Sequence, residues 1–546
     1  MTYTNRYGWM TDTLRTQITE KNVMGFEAYK NPDNNDLKER YKRKRNRLIS
    51  DLRNTEIAYY SNQLDINKDD IKKTWKLLKT IIGKGKTNKK QKICFCINDT
   101  IITDRQLIAD EFNTFFVSIG PQLASNISST IDPLTYVNNT MESIVIAEIT
   151  FNEVRNVILS MKNSSPGWDD IPAFVTKQCV DYYVVPLTYI INKSLVEGIF
   201  PSELKLARVV PIFKSGDSSK ISNFRPISVL SFFSKVFERI MYNYVVDFME
   251  THHVIYKYQF GFRQKHSTQQ AIITLVNKIT SCVDTGDLVI GVFLDLKKAF
   301  DTVDHGILLS KLYAYGIRGS ILQWFESYLS NRSQYVTYDG IRSSTQYLKC
   351  GVPQGSILGP LLFVIYINDI YNVSQLLFTV LYADDTCVLL SGKDLDDLLN
   401  VINRELEQLS IWLKANKLSL NLSKTSYMIF HRARFKIPND CETVIMNNCT
   451  IDQVECLKYL GVILDSKISW IPHIAYVKNK ISKGIGIMYQ ARKYLNKQSL
   501  MKLYNSYKNE NIEEILLSKF DINNLTPNLT NGYKPKSNSA KNFLND

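Results

Sequence analysis

A chain of 546 residues is too long for one ordinary core and is expected to divide into two to four domains. Its 44% hydrophobic and 11% aromatic residues allow it to bury most of its length, which excludes a largely disordered chain. A formal net charge of +14 favours a polyanionic partner, either nucleic acid or an anionic membrane surface.

The opening residues have no apolar segment of the kind that makes a secretory signal. Residues 35–63 predict one long helix, with Lys38, Arg40, Lys42, Arg43, Lys44, Arg45 and Arg47 ahead of Leu48, Ile49 and Leu52. Such a run is either a solvated face or a surface for backbone phosphates. A second helix is expected over 71–82, and residues 84–92 read as a basic linker. Cys94 and Cys96 stand one residue apart, too close for the usual zinc pair. The nine cysteines are otherwise scattered, so a disulfide framework is not expected and a reducing, intracellular compartment is. Residues 104–118 predict an amphipathic helix with Leu107, Phe112, Phe115 and Phe116 on its apolar face, and 120–145, rich in Ser, Thr and Asn, a loop or boundary.

Further on, the apolar run Leu288–Leu294 predicts a buried strand ending at Asp295. The run 361–367 is far short of the ~20 residues needed to cross a bilayer and is expected to be buried strand or core helix; no membrane partner is expected. Phe378–Tyr382 and 386–390 predict two short strands joined through Asp384 and Asp385 as a hairpin, and 395–413 a helix. This order implies an α+β domain, an antiparallel sheet backed by helices. Residues 521–546 turn polar and irregular, as a disordered tail does.

Two acidic positions therefore close apolar strands. Burying a carboxylate costs several kcal/mol unless something compensates it. Three Asp on one sheet edge can be compensated by divalent cations, and hard oxygen donors suit Mg²⁺. Two such ions about 4 Å apart activate a hydroxyl and stabilise a leaving oxyanion in phosphoryl transfer. By itself Tyr382-Ala-Asp-Asp385 is also what an ordinary Asp-rich hairpin turn looks like.

The constellation of motifs is more specific. In order come Val210-Pro-Ile-Phe-Lys214, Asn223-Phe-Arg-Pro-Ile-Ser228, Gln259-Phe-Gly-Phe-Arg263, Phe293-Leu-Asp-Leu-Lys-Lys-Ala-Phe-Asp301, Gly351-Val-Pro-Gln-Gly-Ser356, Tyr382-Ala-Asp-Asp385, Asn421-Leu-Ser-Lys-Thr425 and Lys458-Tyr-Leu-Gly461. In this order they resemble the reverse transcriptases of non-LTR (LINE-type, jockey-like) retrotransposons, from Ser165-Pro-Gly-Trp-Asp169 to about Tyr507. Lys72-Lys-Thr-Trp75 and Ile81-Ile-Gly-Lys84 resemble the segment preceding the polymerase in jockey-like elements.

The resemblance implies a right-hand polymerase: a helical basic region over 1–145, a reverse transcriptase domain over 194–465, a partial thumb over 466–510 and a tail over 511–546. Fingers are expected from about 150 to 285 and the palm over 286–430. It implies an RNA-directed DNA polymerase with two Mg²⁺ held by Asp295, Asp384, Asp385 and the carbonyl of Leu296. Lys424 would protonate the leaving pyrophosphate. Lys214 and Arg225 would neutralise the triphosphate, Phe300 would gate against a ribose 2′-OH, and Gln354 with Gly355 would contact nucleotide and template. Tyr459, Leu460 and Gly461 resemble a primer grip. The implied partners are an RNA template, a DNA primer and dNTPs, and the implied compartment is the nucleus. The chain opens within the linker, so endonuclease activity is expected from another chain. The stretch Asn509-Glu-Asn-Ile-Glu-Glu departs from the apolar continuation usual in the thumb. A group II intron maturase shares the metal motifs, and a nucleic-acid-binding remnant without catalysis is the alternative from a different class.

Overall fold

The computed structural model describes residues 8–67, 70–83, 94–97, 100–125, 127–432, 434–435, 437–438 and 442–505. The linker expected at 84–92, the Asn509 stretch and the tail over 511–546 lie outside the described residues. The chain divides into two compact units, residues 90–460 with 465–469, and residues 1–89 with 461–464 and 470–546.

The larger unit is α+β, with a five-stranded sheet at its centre. The order is Asp452–Gln453, Ser426–Phe430, Leu288–Leu294, Asp385–Gly392, Phe378–Tyr382. Every residue of Leu288–Leu294 is buried, which is why the sequence shows a continuous apolar run there instead of an alternation. At its middle a Cβ on Gly291 would lie 2.9 Å from the Phe430 ring, so a larger residue there would have to displace that ring. Three antiparallel pairings join Ser426–Phe430, Leu288–Leu294, Asp385–Gly392 and Phe378–Tyr382, as the expected antiparallel sheet requires. The fifth strand, Asp452–Gln453, runs parallel to Ser426–Phe430 and makes the sheet mixed.

Helices complete the core. Leu395–Ala415 starts where Asp394 accepts from the Asp397 N–H at 3.0 Å. It buries Leu395, Leu398, Leu399, Ile402, Leu406, Leu409 and Leu413, spaced along one helix face. Thr268–Asp284 opens on a capping box between Ser267 and Gln270. The run 361–367 becomes the buried helix Leu358–Tyr366.

A second sheet has the order Phe224–Val229, Leu206–Phe213, Ser333–Tyr338, Ile341–Arg342, and Gln346–Tyr347 also pairs with Ser333–Tyr338. The helix Arg105–Ser125 lies on it, with Phe112 and Phe116 against Val209, Phe224 and Val336. This helix passes through Gly120 and Pro121 to Ser125, so the loop expected from 120 starts later. The remainder of that segment is pinned to the same unit. Thr140 and Ile144 donate their N–H groups to the carbonyls of Ala314 and Gly316, each at 3.0 Å. The Arg318 guanidinium donates to the carbonyls of Thr140, Met141 and Glu142.

The smaller unit is helical. Asp12–Lys30, Asn35–Ile66, Ile71–Ile81 and Ile471–Ala491 build it around Leu64, Leu78, Ile81, Ala491 and Leu495. Asn496 N–H donates to Ser61 Oγ at 3.2 Å, tying the C-terminal part to the long basic helix.

Candidate active site

The pairing of strands sets the site. Thr386 stands opposite Leu294, so the hairpin acids and Asp295 emerge at the same end of adjacent strands. Ser426 stands opposite Phe293, which brings the 421–425 turn to that end as well. The hairpin is bent sharply at Ala383, which is buried and left-handed at φ 55°.

The Gln259–Arg263 block is what holds that bend. Phe260 N–H donates to the Leu381 carbonyl at 2.8 Å, and Leu381 N–H to the Tyr258 carbonyl at 3.0 Å. The buried Gln259 Oε1 accepts from Gly261 N–H at 2.8 Å and Ala383 N–H at 3.1 Å. A Cβ on Gly261 would fall 2.2 Å from Ala383 N, so only glycine allows this approach. Through these hydrogen bonds the block buttresses the acidic hairpin.

The three carboxylates act on one another. Burial, and then the negative charge of Asp295, push Asp384 above the ordinary carboxylate range, with Arg225 and Lys214 opposing. Asp385 reaches solvent at the hairpin end, yet it is pushed up to about 6 by desolvation and then by Asp384 and Asp295. Asp295 Oδ2 accepts from Asn421 Nδ2 at 2.7 Å and pairs with Lys424 Nζ at 3.6 Å. Asn421 N–H also donates to the Asp295 carbonyl at 2.8 Å, and Leu296 bridges to Leu420.

Cations ring this edge. Lys214 N–H donates to the Asn223 carbonyl at 2.9 Å, and Ile212 stands opposite Arg225, which sets Lys214 and Arg225 side by side at the end of the second sheet. Partial desolvation, then the Arg225 and Lys424 charges, push the Lys214 ammonium down, while Asp295 supports it. Both side chains are exposed. Cations that repel one another and face carboxylates form a ready receptor for an anionic group.

As placed, no three His, Cys, Asp or Glu side chains among the described residues stand close enough to enclose an ion. The donor set still fits hard divalent cations. It is all carboxylate oxygen, and Asp384 and Asp385 carry raised pKa values that a neighbouring positive charge would relieve.

The other residues singled out by sequence surround this edge. Phe300 is half-buried, stacked on Phe363 at 4.7 Å and met edge-on by Phe262 at 6.1 Å. Gln354 Nε2 donates to Asp301 Oδ1 at 2.7 Å. Gly355 is left-handed at φ 119°, and a Cβ there would lie 2.5 Å from the Ser228 carbonyl. Tyr459 is buried beneath the sheet, its ring 5.2 Å from Phe293 and its hydroxyl pushed far up by burial and by Cys387 and Asp385. Its side chain therefore supports the strands, and Leu460, left-handed at φ 45°, forms the turn after it. Gly461 falls in the smaller unit.

Residue type and spacing do not single out Asn421, Gln259 or Asp301. Asn421 and Asp301 sit inside quoted motifs, so their proximity to Lys424 and Phe300 was a signal; Gln259 gave none beyond its block.

Residues 212–464 match the family model described as reverse transcriptase (RNA-dependent DNA polymerase). The chain is 29% identical over 368 residues to the RNA-directed DNA polymerase from mobile element jockey of Drosophila funebris, covering 65% of this chain and 40% of that protein. Against the jockey polymerase of Drosophila melanogaster it is 28% identical over 375 residues, 67% of this chain and 40% of that one. Against the Drosophila melanogaster protein named "Probable RNA-directed DNA polymerase from transposon BS" it is 31% identical over 381 residues, 66% and 40%. Residues 212–464 are thus a reverse transcriptase domain. It is similar to the polymerases of the non-LTR, LINE-type jockey and BS elements. The chain spans about 40% of the length of the first of these relatives.

Proposed function

We propose that this chain is an RNA-directed DNA polymerase that adds dNTPs to a primer 3′-OH. The observation that carries the reading is the convergence of Asp295, Asp384 and Asp385 at one sheet edge, where the charge of Asp295 raises the pKa of Asp384, both raise that of Asp385, and Lys214, Arg225 and Lys424 stand near. In this reading the five-stranded sheet is the palm, the sheet carrying Lys214 and Arg225 belongs to the fingers, and Ile471–Ala491 starts the thumb.

Asp295, Asp384, Asp385 and the Leu296 carbonyl would hold two Mg²⁺, which when bound supply activation of the attacking hydroxyl and stabilisation of the leaving oxyanion. Lys214 and Arg225 bind the triphosphate as exposed, mutually repelling cations. Lys424 has a weak, half-exposed contact with Asp295, so it is free to swing to the departing pyrophosphate and donate its proton. Phe300, its ring fixed by Phe363, excludes a 2′-OH and so selects deoxynucleotides. Leu460 offers backbone to the primer. The template is RNA, as in the relatives' names, and the reaction belongs in the nucleus, where a chromosomal nick can serve as primer.

Primer extension on a primed RNA template with dNTPs and Mg²⁺, beside Asp384→Asn, tests this. Extension by the unaltered protein alone supports it. Equal extension by both proteins would refute the site. Binding of primer–template without extension by either would leave a nucleic-acid-binding remnant.

A further inference from the structure

Gln354 projects from a turn whose backbone is fixed on several sides. Gly351 N–H donates to the Val303 carbonyl at 2.8 Å, Val352 N–H to the Phe300 carbonyl at 2.9 Å, and the Gln354 carbonyl accepts from Ser228 N–H at 2.7 Å. What remains adjustable is the side-chain amide, which can present either its NH₂ or its oxygen. Its Nε2 donates to Asp301 Oδ1. An ionised carboxylate can only accept, so it admits the amide nitrogen and turns Oε1 away.

Asp301 is itself immobilised. Its N–H donates to the Lys298 carbonyl at 2.8 Å, and its carbonyl accepts from Cys350 Sγ at 3.4 Å. Gly120 and Gly351 press on the same carbonyl; a Cβ on either would lie 2.1 or 2.9 Å from it. Gly120 comes from Arg105–Ser125, a helix ahead of the matched domain. The second carboxylate oxygen of Asp301 is buried and accepts no hydrogen bond. A half-satisfied buried acid is costly, and a neutral residue would pack there at lower cost.

We infer that Asp301 is a positioning residue of the nucleotide site: it fixes the Gln354 amide so that Oε1 faces the bound substrates and accepts a hydrogen bond from them. The substrate side of this inference rests on the polymerase reading; the coupling of Asp301 to Gln354 does not.

The test is the dNTP KM and kcat of Asp301→Asn, Gln354→Glu and the double variant. Asp301→Asn frees the amide to rotate and is expected to raise KM about tenfold, the size of one misdirected hydrogen bond, with kcat changed far less. Gln354→Glu sets two carboxylates face to face and is expected to lose more. The double variant restores one N–H···O bond with its direction reversed and again turns an oxygen outward, so its KM should fall back toward that of the unaltered protein. An unchanged KM in Asp301→Asn, or a double variant no better than Gln354→Glu, overturns the inference. A separate readout needs no turnover: in ¹⁵N-glutamine spectra, the side-chain NH₂ pair missing from Gln354→Glu should move in Asp301→Asn. If that pair stays in place, Asp301 does not hold it. If the unaltered protein fails to extend a primer while the pair does move, the polymerase reading and the substrate side fall together and the coupling stands.

Discussion

Replacing Asp301 by Asn should make the protein more stable while impairing nucleotide use. Burial pushes the Asp301 carboxyl up to about 6, with the Gln354 hydrogen bond and the Lys298 charge pulling the other way. Against its ordinary value of 3.8, that difference is worth roughly 3 kcal/mol at ~1.36 kcal/mol per pH unit. The direction follows from proton binding. Between 3.8 and about 6 the folded state holds the proton that the unfolded state has lost, so stability from this group is full below 3.8 and declines as pH rises to about 6. Above that the whole penalty is present. Asn carries no charge, although it mimics a neutral acid imperfectly, so the expected gain is about 1–2 kcal/mol at neutral pH, vanishing near pH 4. Urea unfolding followed by tryptophan emission, at pH 7.5 and pH 4, measures it; Trp324 and Trp412 are buried in the larger unit. A loss of stability at pH 7.5, or a difference that does not change with pH, would refute the reasoning. A gain in stability together with a raised KM would separate positioning from damage to the fold.

Three further outcomes are expected. Gln259→Ala deprives the N–H groups of Gly261 and Ala383 of their shared acceptor and should destabilise the larger unit by roughly 2–4 kcal/mol, read as a lower urea midpoint. Gly261→Ala forces a methyl group to within 2.2 Å of Ala383 N and should displace the acidic hairpin; primer extension falls by at least about tenfold, and unchanged extension would mean that the hairpin tolerates the shift. Phe300→Ala removes the ring packed on Phe363 and should raise incorporation of ribonucleotides relative to deoxynucleotides by about tenfold or more, measured by competing rNTP against dNTP.

Much of the larger unit was legible because its signals are local. Leu288–Leu294 and Phe378–Tyr382 are strands with the bounds that their sequence suggests, and the first, buried on both faces, is apolar throughout. The helix expected over 395–413 extends only to Ala415, because its buried positions recur at helical spacing and Asp394 caps its start. The helix expected over 35–63 runs over Asn35–Ile66 for similar reasons of pattern and cap. The segment from 120 to 145 was less legible. Its polar composition describes a surface path, but Gly120 is helical against Asp301 and the Thr140 and Ile144 amides are bound to residues more than 170 positions away.

The sequence by itself singled out the candidate residues: acids closing apolar strands, cations within the ordered motifs, and an aromatic ring a few residues after the first acid. These depend on residue type and spacing, which are properties of the chain. Only the tertiary structure decided what holds them. Gln259 clasps the bend at Ala383, Asn421 occupies one oxygen of Asp295, and Asp301 takes the Gln354 amide, each across a gap of 50 residues or more. A hydrogen bond between distant segments leaves no periodicity or composition behind; it exists only once the backbone has brought donor and acceptor together.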